Sequence, residues 1–403
     1  MDKAETLLLE ALRCALRNEP LEISEMPEQD ILRRLFRMSR EQYVLPLVVQ
    51  AFSESAAFRA LPASGALLRE ARMLTLRQAR RTADFLLVLE RLEALGLHPA
   101  VVKGAVCRAL YPHPEQRPSS DEDLLCPPED FSRLHEALLS CGLRQVHPDR
   151  PLEGEDEISY VDPERELYLE VHLLPFPSDE AASSELNRFL EGAGSRTVPF
   201  RLYGAAFHTL APEDHLLFLL FHTYRHFLCG GIILRQIFDI CLFSLRYSDL
   251  VSWQRIRSVC DELKIQNLAA AFFRIGERYL DLPCPVAFSD LQVDVLPLLD
   301  DCVGEGALPL DDPIRMHTAR ITLDAVAVQS QGRANRGLWS SLFPGVRYLK
   351  MNYPYAKSHP GLIPVAWANR IWNYLSQKDG NASKSLELGR QRVELLRQYK
   401  IIP

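Results

Sequence analysis

Two aspartates, Asp121 and Asp123, lie two residues apart in the stretch RPSSDEDLLC, where a polar segment gives way to an apolar one. If this stretch is a β-strand, its side chains alternate between two faces, so both carboxylates point the same way, about 7 Å apart. Carboxylates in this arrangement can converge on a divalent cation such as Mg²⁺, which prefers hard oxygen ligands. An Asp-x-Asp pair also occurs by chance in surface turns, so the pair alone leaves both interpretations open.

A third carboxylate is expected on a neighbouring strand. The stretch ELYLEVHLL alternates apolar and polar residues, which predicts a strand with Tyr168, Glu170 and His172 on its polar face. Glu170 is the only acid among these three residues. Three acids on two adjacent strands form the two-metal arrangement used for in-line phosphoryl displacement. In such a site one cation holds the phosphates of the donor and the other lowers the pKa of an acceptor hydroxyl.

Residues suited to binding phosphate flank the acids. In VVKG an apolar strand ends at Lys103 and Gly104. Glycine lets the backbone approach a phosphate closely, and lysine supplies a point charge. Arg117, Ser119 and Ser120 directly precede the acids and are candidates for contacts with a triphosphate.

The elements that must position these residues fall into three predicted regions. Residues 1–96 have helical periodicity, with a long helix expected to stop at Gly96. Residues 97–207 read as strand, helix, strand, helix and a β-hairpin with its turn at Asp162-Pro163-Glu164. Residues 208–403 are helical again. The expected fold class is α+β, with a mixed sheet and flanking helices between an N-terminal helical region and a C-terminal helical domain.

The segment VVKGAVCRALYPHPEQRPSSDEDLL resembles the signature of the uncharacterised nucleotidyltransferase family, which typically reads Leu-Lys-Gly, then Tyr-Pro, then Arg-Pro-x-x-Asp-x-Asp-Leu-Leu. This family belongs to the DNA polymerase β-like nucleotidyltransferase superfamily. YLEVHLL resembles its acid-x-His strand, HLLFLLFHTYRHF with LRQIFDI its helical His/His/Asp segment, and LFPGVRYLKMNYPY with ANRIW its C-terminal segment.

The resemblance implies a minimal nucleotidyltransferase core that moves a nucleoside monophosphate from a nucleoside triphosphate to a hydroxyl or phosphate acceptor and releases pyrophosphate. It implies Mg²⁺, with Mn²⁺ as the alternative ion, held by Asp121, Asp123 and Glu170 as catalytic ligands. Two positions depart from the superfamily pattern. Lys103-Gly104 lies where Gly-Ser is usual, and Glu170 lies where Asp is common. The remaining residues expected to bind or support the nucleotide are His172, His222, His226 and Asp239.

His222 and His226 are four residues apart and would share a helix face. This is metal-ligand spacing, but Thr223 replaces the glutamate of a His-Glu-x-x-His zinc motif and no third ligand is spaced nearby. The pair is instead expected on the inner face of the helical domain, where it either buttresses the site, touches the nucleotide or forms satisfied core polar groups. The same alternatives apply to Arg225, Arg235 and Asp239.

Two basic groups also leave alternatives open. One is a helix face that is either solvated or directed at phosphate, and it comprises Arg69, Arg72, Arg77 and Arg80. The other is an aromatic and basic run, which either binds single-stranded nucleic acid by stacking or packs a helical cap. This run comprises Arg347, Tyr348, Lys350, Tyr353, Tyr355, Lys357, Trp367 and Arg370.

Composition narrows the partners and the compartment. The formal net charge of −7 argues against a protein that coats nucleic acid by bulk electrostatics, while a local basic groove stays open. The acceptor is left open among a small molecule, sugar, peptide and protein, with nucleic acid less favoured. Nine scattered cysteines without a Cys-x-x-Cys pair, no signal peptide and no uninterrupted apolar span predict a cytoplasmic protein. Two other functions remain open: a non-catalytic nucleotide-binding or scaffold protein, and a kinase-like phosphotransferase using the same metal site.

Overall fold

The computed structural model of the 403-residue chain describes residues 1–149, 152, 154–178, 183–303, 322, 326, 360–367, 369 and 381–403. The strands are β1 Ala100–Val102, β2 Glu122–Leu125, β3 Arg144–Gln145, β4 Glu157–Asp162, β5 Leu167–His172, β6 Thr197–Leu202 and β7 Ala205–Leu210.

The α-helices before and within the sheet region are α1 Lys3–Leu16, α2 Gln29–Glu41, α3 Leu45–Phe52, α4 Ala56–Arg59, α5 Ser64–Ala94, α6 Gly104–Arg108, α7 Phe131–Ser140 and α8 Ser183–Phe189. The later α-helices are α9 Pro212–Cys229, α10 Leu234–Arg246, α11 Trp253–Glu262, α12 Gln266–Leu280, α13 Leu296–Val303 and α14 Asn381–Gln398. Short 3₁₀ turns are Pro114–Gln116, Pro128–Asp130, Ala193–Ser195, Ser248–Leu250, Val286–Phe288 and Pro360–Leu362.

In the described part of the chain, seven strands form one mixed sheet in the order β3-β4-β5-β2-β1-β7-β6. β2 is antiparallel to β1 and parallel to β5, while β1 is parallel to β7. The carboxyl end of β1 therefore lies beside the amino end of β2. Residues after β1 and residues before β2 meet at this edge of the sheet, where Lys103 and Asp121 lie.

The helices surround the sheet and share one core with it. Buried apolar residues run without interruption from α1, through the sheet, to α12, α13 and the end of α14. Full burial of a leucine or phenylalanine side chain contributes about 1.5–3 kcal/mol. α5 packs against β5 and β7, and α9 packs against β7. This arrangement confirms the expected α+β class with a mixed sheet between flanking helices.

The long helix α5 ends where the sequence predicts. Leu95 caps the helix, Gly96 adopts a left-handed φ of 67°, and the amide of Leu97 donates to the carbonyl of Leu92. The amide of Gly96 also donates to the carbonyl of Glu93, so the two bonds form a Schellman motif. The chain therefore reverses sharply before entering β1.

The hairpin formed by β6 and β7 was not expected from the sequence. Its turn consists of Tyr203 and Gly204, which have φ values of 51° and 89°. Pro199 lies within β6 and pairs in register with His208, which a sheet tolerates because β6 is an edge strand. β7 completes the sheet next to β1 and thereby buries the strand that leads to Lys103.

Of the two basic groups predicted from the sequence, the structure describes the helix face but little of the aromatic and basic run. Arg69, Arg72, Arg77 and Arg80 are exposed, and Arg77 pairs with Glu166 in the β4–β5 turn, which agrees with a solvated face. The aromatic and basic run lies outside the described residues, apart from Trp367. Among the helices that the structure describes, none combines the length and the apolar character that crossing a membrane requires.

Candidate active site

Asp123 and Glu170 lie side by side on two parallel strands. Register pairs Asp123 of β2 with Glu170 of β5, as strand alternation predicts. On β5, Leu167, Leu169 and Val171 are buried while Tyr168 and Glu170 are partly exposed, so the predicted alternation is confirmed for these residues. His172, at the end of the strand, is buried. The ligand atoms of Asp123, Glu170 and His172 all lie within 4.8 Å of one another.

Asp123 is buried and has two polar partners. Its Oδ1 lies 2.8 Å from Lys103 Nζ and 3.1 Å from His172 Nε2. Burial raises the pKa of Asp123, but Lys103 and His172 outweigh burial and bring this pKa down to about 2. Asp123 is therefore an anion, as a carboxylate that binds a metal must be.

Glu170 has the opposite electrostatics. Burial and the nearby carboxylates of Asp123 and Glu157 raise the pKa of Glu170 to about 7. Three carboxylates, with Asp121 as the third, thus act on Glu170 against the cation Lys103, and a divalent cation would relieve this local excess of negative charge.

The turn after β1 is strained and is held by a buried histidine. Lys103 has φ 54° and ψ −120°, a backbone conformation that costs a non-glycine residue energy. Its amide donates to His215 Nε2 at 3.3 Å, and His215 Nδ1 lies 3.0 Å from Thr209 Oγ1. Thr209 donates to the carbonyl of Val101 at 2.7 Å, so Nδ1 of His215 carries the proton that completes the chain. Burial lowers the pKa of His215 to about 3.

Gly104 starts α6 directly above a buried ion pair. A Cβ atom at residue 104 would lie 2.3 Å from Glu122 Oε2. Glu122 points away from Asp123, as alternation requires, and pairs with Arg108; both side chains are fully buried. The glycine of the Lys-Gly pair is thus required by the contact between α6 and β2.

Two side chains of α5 hold the loop of residues 117–121, which carries Asp121. Gln78 accepts a hydrogen bond from the amide of Ser119 at 2.8 Å, and Arg81 donates to the carbonyls of Ser119 and Ser120. Ser120 in turn donates to Asp121 Oδ1 at 3.0 Å. The serines therefore shape the loop with their backbones, and Ser120 also orients the first acid.

Two side chains of α10 hold the same loop. Arg117 forms a two-pronged ion pair with Asp239, with its Nε 2.8 Å from Oδ1, and Tyr111 donates to the same oxygen at 2.9 Å. Nη1 of Arg117 is buried and has no hydrogen-bond partner among the described residues. Arg235 donates to the carbonyl of Pro118. Asp239 is thus a partner of Arg117, and only one nitrogen of Arg117 is left for a ligand.

An open cavity of about 500 Å³ faces these residues. His222 and His226 of α9 lie on its wall with ring centroids 4.4 Å apart. Burial and the nearby Lys103 lower the pKa of His222 well below its usual value. Among the twelve site residues that the sequence predicts, those lining the cavity are Lys103, Gly104, Arg117, Ser119, Ser120, Asp121, Asp123, His222, His226 and Asp239. Glu170 and His172 adjoin it through Asp123.

The buried polar residues that support the site were not predicted from the sequence. Arg81 lies three residues after Gln78 and four before Phe85, so it belongs to the apolar stripe of α5, where a charged residue signals a buried partner. Glu122 likewise lies on the core face of β2 with Leu124. The pairing of His215 with Lys103, 112 residues apart in sequence, has no local signal.

The donor set suits a hard divalent cation. Asp123 and Glu170 supply carboxylate oxygens, and Asp121 lies in the same cavity on the adjoining loop. His172 lies beside these oxygens with its Nε2 3.1 Å from Asp123 Oδ1, where it can orient that carboxylate.

A family model described as an uncharacterised nucleotidyltransferase matches residues 29–281, more than half of the 403-residue chain. The matched range begins with α2, ends directly after α12 and includes every predicted site residue. Comparisons with curated proteins and with solved structures found no match.

Proposed function

The chain belongs to the uncharacterised nucleotidyltransferase family, and from this premise we propose that it transfers a nucleoside monophosphate from a nucleoside triphosphate to a hydroxyl or phosphate acceptor. An acceptor oxygen attacks the α-phosphorus, the bond from this phosphorus to the bridging oxygen breaks, and pyrophosphate leaves. The acceptor's proton passes to a carboxylate of the site or to water.

The observation that carries this proposal is the register pairing of Asp123 with Glu170 at the wall of a polar cavity. Asp121, Asp123 and Glu170 would hold the divalent cations, and His172 would orient Asp123 through its hydrogen bond to Oδ1. Bound there, Mg²⁺ or Mn²⁺ would neutralise the donor's phosphates and lower the pKa of the acceptor hydroxyl. Glu170 would help to activate that hydroxyl.

Cationic side chains on the same wall would bind the donor's phosphates. Lys103 supplies an ammonium group beside Asp123, and Arg117 offers its remaining nitrogen. Arg235 lines the cavity next to them, and its Nε is also without a hydrogen-bond partner in the described part of the chain. We place the reaction in the reducing cytoplasm, since all nine cysteines are free thiols.

One observation favours a non-catalytic nucleotide-binding or scaffold protein. The ammonium of Lys103 already neutralises Asp123, so the carboxylate is satisfied without a cation. A kinase-like phosphotransferase would use the same groups. The labelling experiment described next distinguishes both functions from nucleotidyl transfer.

The test uses the full-length protein with Mg²⁺ and nucleoside triphosphates labelled at either the α- or the γ-phosphate. Candidate sugars, peptides, proteins and small phosphorylated or hydroxylated compounds are the acceptors, and mass spectrometry identifies the product. Nucleotidyl transfer leaves the α-label on the acceptor and releases labelled pyrophosphate from the γ-labelled donor. A γ-label on the acceptor identifies a kinase, and binding without transfer of either label supports a scaffold.

The site assignment is tested with Asp121→Ala combined with Asp123→Ala. Asp149→Ala, which removes an exposed acid elsewhere, is the matched control. The double variant should lose Mg²⁺-dependent nucleotide binding and transfer, whereas the control should keep both. Unchanged binding and transfer in the double variant would show that these carboxylates do not form the metal site.

A further inference from the structure

A second cluster of metal-ligating side chains lies at the opposite end of β1. Glu93 of α5 contacts two histidines at once: its Oε2 lies 2.9 Å from His98 Nδ1, and its Oε1 lies 2.9 Å from His208 Nδ1. The two imidazole rings have centroids 4.7 Å apart. One ligand atom from each residue lies within 4.8 Å of the other two.

Three separate elements hold these side chains in place. Glu93 is in the last turn of α5, and the Schellman motif at Gly96 reverses the chain so that His98 returns towards it. His208 is fixed on β7 by register with Ala100 on one side and Pro199 on the other. The cluster is therefore preorganised by backbone structure.

This cluster is separate from the candidate active site. His208 pairs with Ala100 at the start of β1, whereas Lys103 follows the end of that strand. Three residues of strand correspond to about 10 Å. A ligand bound to His98 and His208 would thus occupy the edge of the sheet away from Asp123 and Glu170.

The donor set is typical of a transition-metal site. Two imidazole nitrogens and one carboxylate form a His₂Glu set, which Zn²⁺ uses with a fourth position left for water. With bonds of about 2.0–2.1 Å, tetrahedral ligands lie about 3.3 Å apart. The observed nitrogen-to-oxygen separations of 2.9 Å need to open by only a few tenths of an ångström. The side chains are 26%, 47% and 27% exposed for Glu93, His98 and His208, so an ion has access and a water ligand has room.

We propose that Glu93, His98 and His208 bind Zn²⁺ or a first-row transition-metal ion with similar ligand preferences. The ion cross-links the end of α5 to β7. On binding, each coordinating imidazole nitrogen gives up its proton and its hydrogen bond to Glu93, and the metal takes the place of those protons. The ion fixes the junction through which α5 enters the sheet.

The experiment uses full-length protein stripped of metal with a chelator and then titrated with Zn²⁺ by calorimetry and with Co²⁺ by visible absorption. Wild type should bind one ion at this cluster with a Kd of about 1 μM or tighter and show the ligand-field bands of Co²⁺ in a low-symmetry nitrogen and oxygen site. His98→Ala and His208→Ala should each weaken that binding by more than the roughly 10- to 100-fold that loss of an outer-shell partner causes.

Two controls separate this cluster from other histidines and from the candidate active site. His147→Ala removes an exposed histidine elsewhere and should leave Zn²⁺ binding unchanged. Asp123→Asn combined with Glu170→Gln should also retain the Co²⁺ spectrum. The side chain of His98 is exposed, so His98→Ala should fold, and circular dichroism would check this.

Two outcomes would overturn the proposal. The first is that wild type shows neither a Co²⁺ spectrum nor a Zn²⁺ heat at micromolar concentrations, which would mean that the three residues form a hydrogen-bond network only. The second is that folded His98→Ala and His208→Ala proteins bind with unchanged affinity, which would place the ion elsewhere.

Discussion

Lys103 and Asp123 form a buried ion pair, with Nζ 2.8 Å from Oδ1. Burial lowers the pKa of Lys103, but the carboxylates of Asp123 and Asp121 raise it above its ordinary value, so the ammonium stays charged. Each group therefore depends on the other in the absence of a cation. This interdependence allows the structural and the chemical roles of Asp123 to be measured separately.

Asp123→Asn leaves the charge of Lys103 without its main ion-pair partner, and Lys103→Met leaves the charge of Asp123 without its main ion-pair partner. Each change should lower the free energy of unfolding by about 3–5 kcal/mol, the usual cost of breaking a buried pair. The double variant should recover much of this loss but should not recover Mg²⁺-dependent transfer. Urea unfolding in a chelator measures the stability, and additive losses in the double variant would contradict the coupling.

Metal removal should have a measurable effect on stability. At a Mg²⁺ concentration 100-fold above Kd, binding to the folded state should raise the free energy of unfolding by about 2.7 kcal/mol. Asp123→Asn combined with Glu170→Gln should abolish this increase, because it removes two of the oxygen donors. Thermal unfolding with and without Mg²⁺ measures both proteins, and an equal increase in both would place the cation at another site.

Gly104→Ala should destabilise the protein by about 1–3 kcal/mol, the usual range for overpacking a core. The new methyl group would meet Glu122, which cannot move aside without giving up its buried bond to Arg108. Gly65→Ala is the control, because its Cβ would meet only the end of Arg69 at 3.5 Å. Alanine should stabilise that exposed helical position by up to about 1 kcal/mol. A loss of stability at residue 65 equal to that at residue 104 would refute the steric explanation.

His215 should make stability fall at acidic pH. Its pKa is lowered to about 3 in the folded protein from an ordinary value of 6.5, so the unfolded chain binds a proton that the folded protein excludes. The resulting loss of stability begins near pH 6.5 and grows as the pH falls towards 3. His215→Gln removes this contribution and leaves the other histidines in place.

The comparison requires unfolding free energies of both proteins at pH 7.5 and at about pH 5. Wild type should lose more stability between the two pH values than His215→Gln. Equal losses would show that His215 is not the titrating group.

Arg117 and Asp239 should behave as a single unit. Arg117→Met or Asp239→Asn leaves a buried charge and should lower stability by about 3–5 kcal/mol, while the combined change should lower it by much less than the sum. Arg188→Met with Glu262→Gln, an exposed pair, is the control and should cost less than about 1 kcal/mol. A double-mutant cycle by urea unfolding gives both coupling energies.

The sequence predicts the parts of the site that depend on local periodicity. Residue patterns over a few positions predict the turn after β1, the alternation along β2 and the β4–β5 hairpin. Together these features bring Asp123 next to Glu170. The β6–β7 hairpin was missed, because Pro199 argues against a strand and Tyr203-Gly204 is a weak turn signal. The partners of Arg117 and Lys103, at residues 239 and 215, are set by how α9 and α10 pack on the sheet, and no local pattern encodes that.

The 117–121 loop has a consequence for how this protein can be divided. Its backbone and side chains are bound by Gln78 and Arg81 of α5 and by Arg235 and Asp239 of α10. A polypeptide limited to residues 97–207 would contain all three carboxylates but none of these four side chains. The candidate site therefore depends on more than the sheet: α5 and α10 cannot be exchanged for helices of another protein unless the replacements bring matching side chains to this loop.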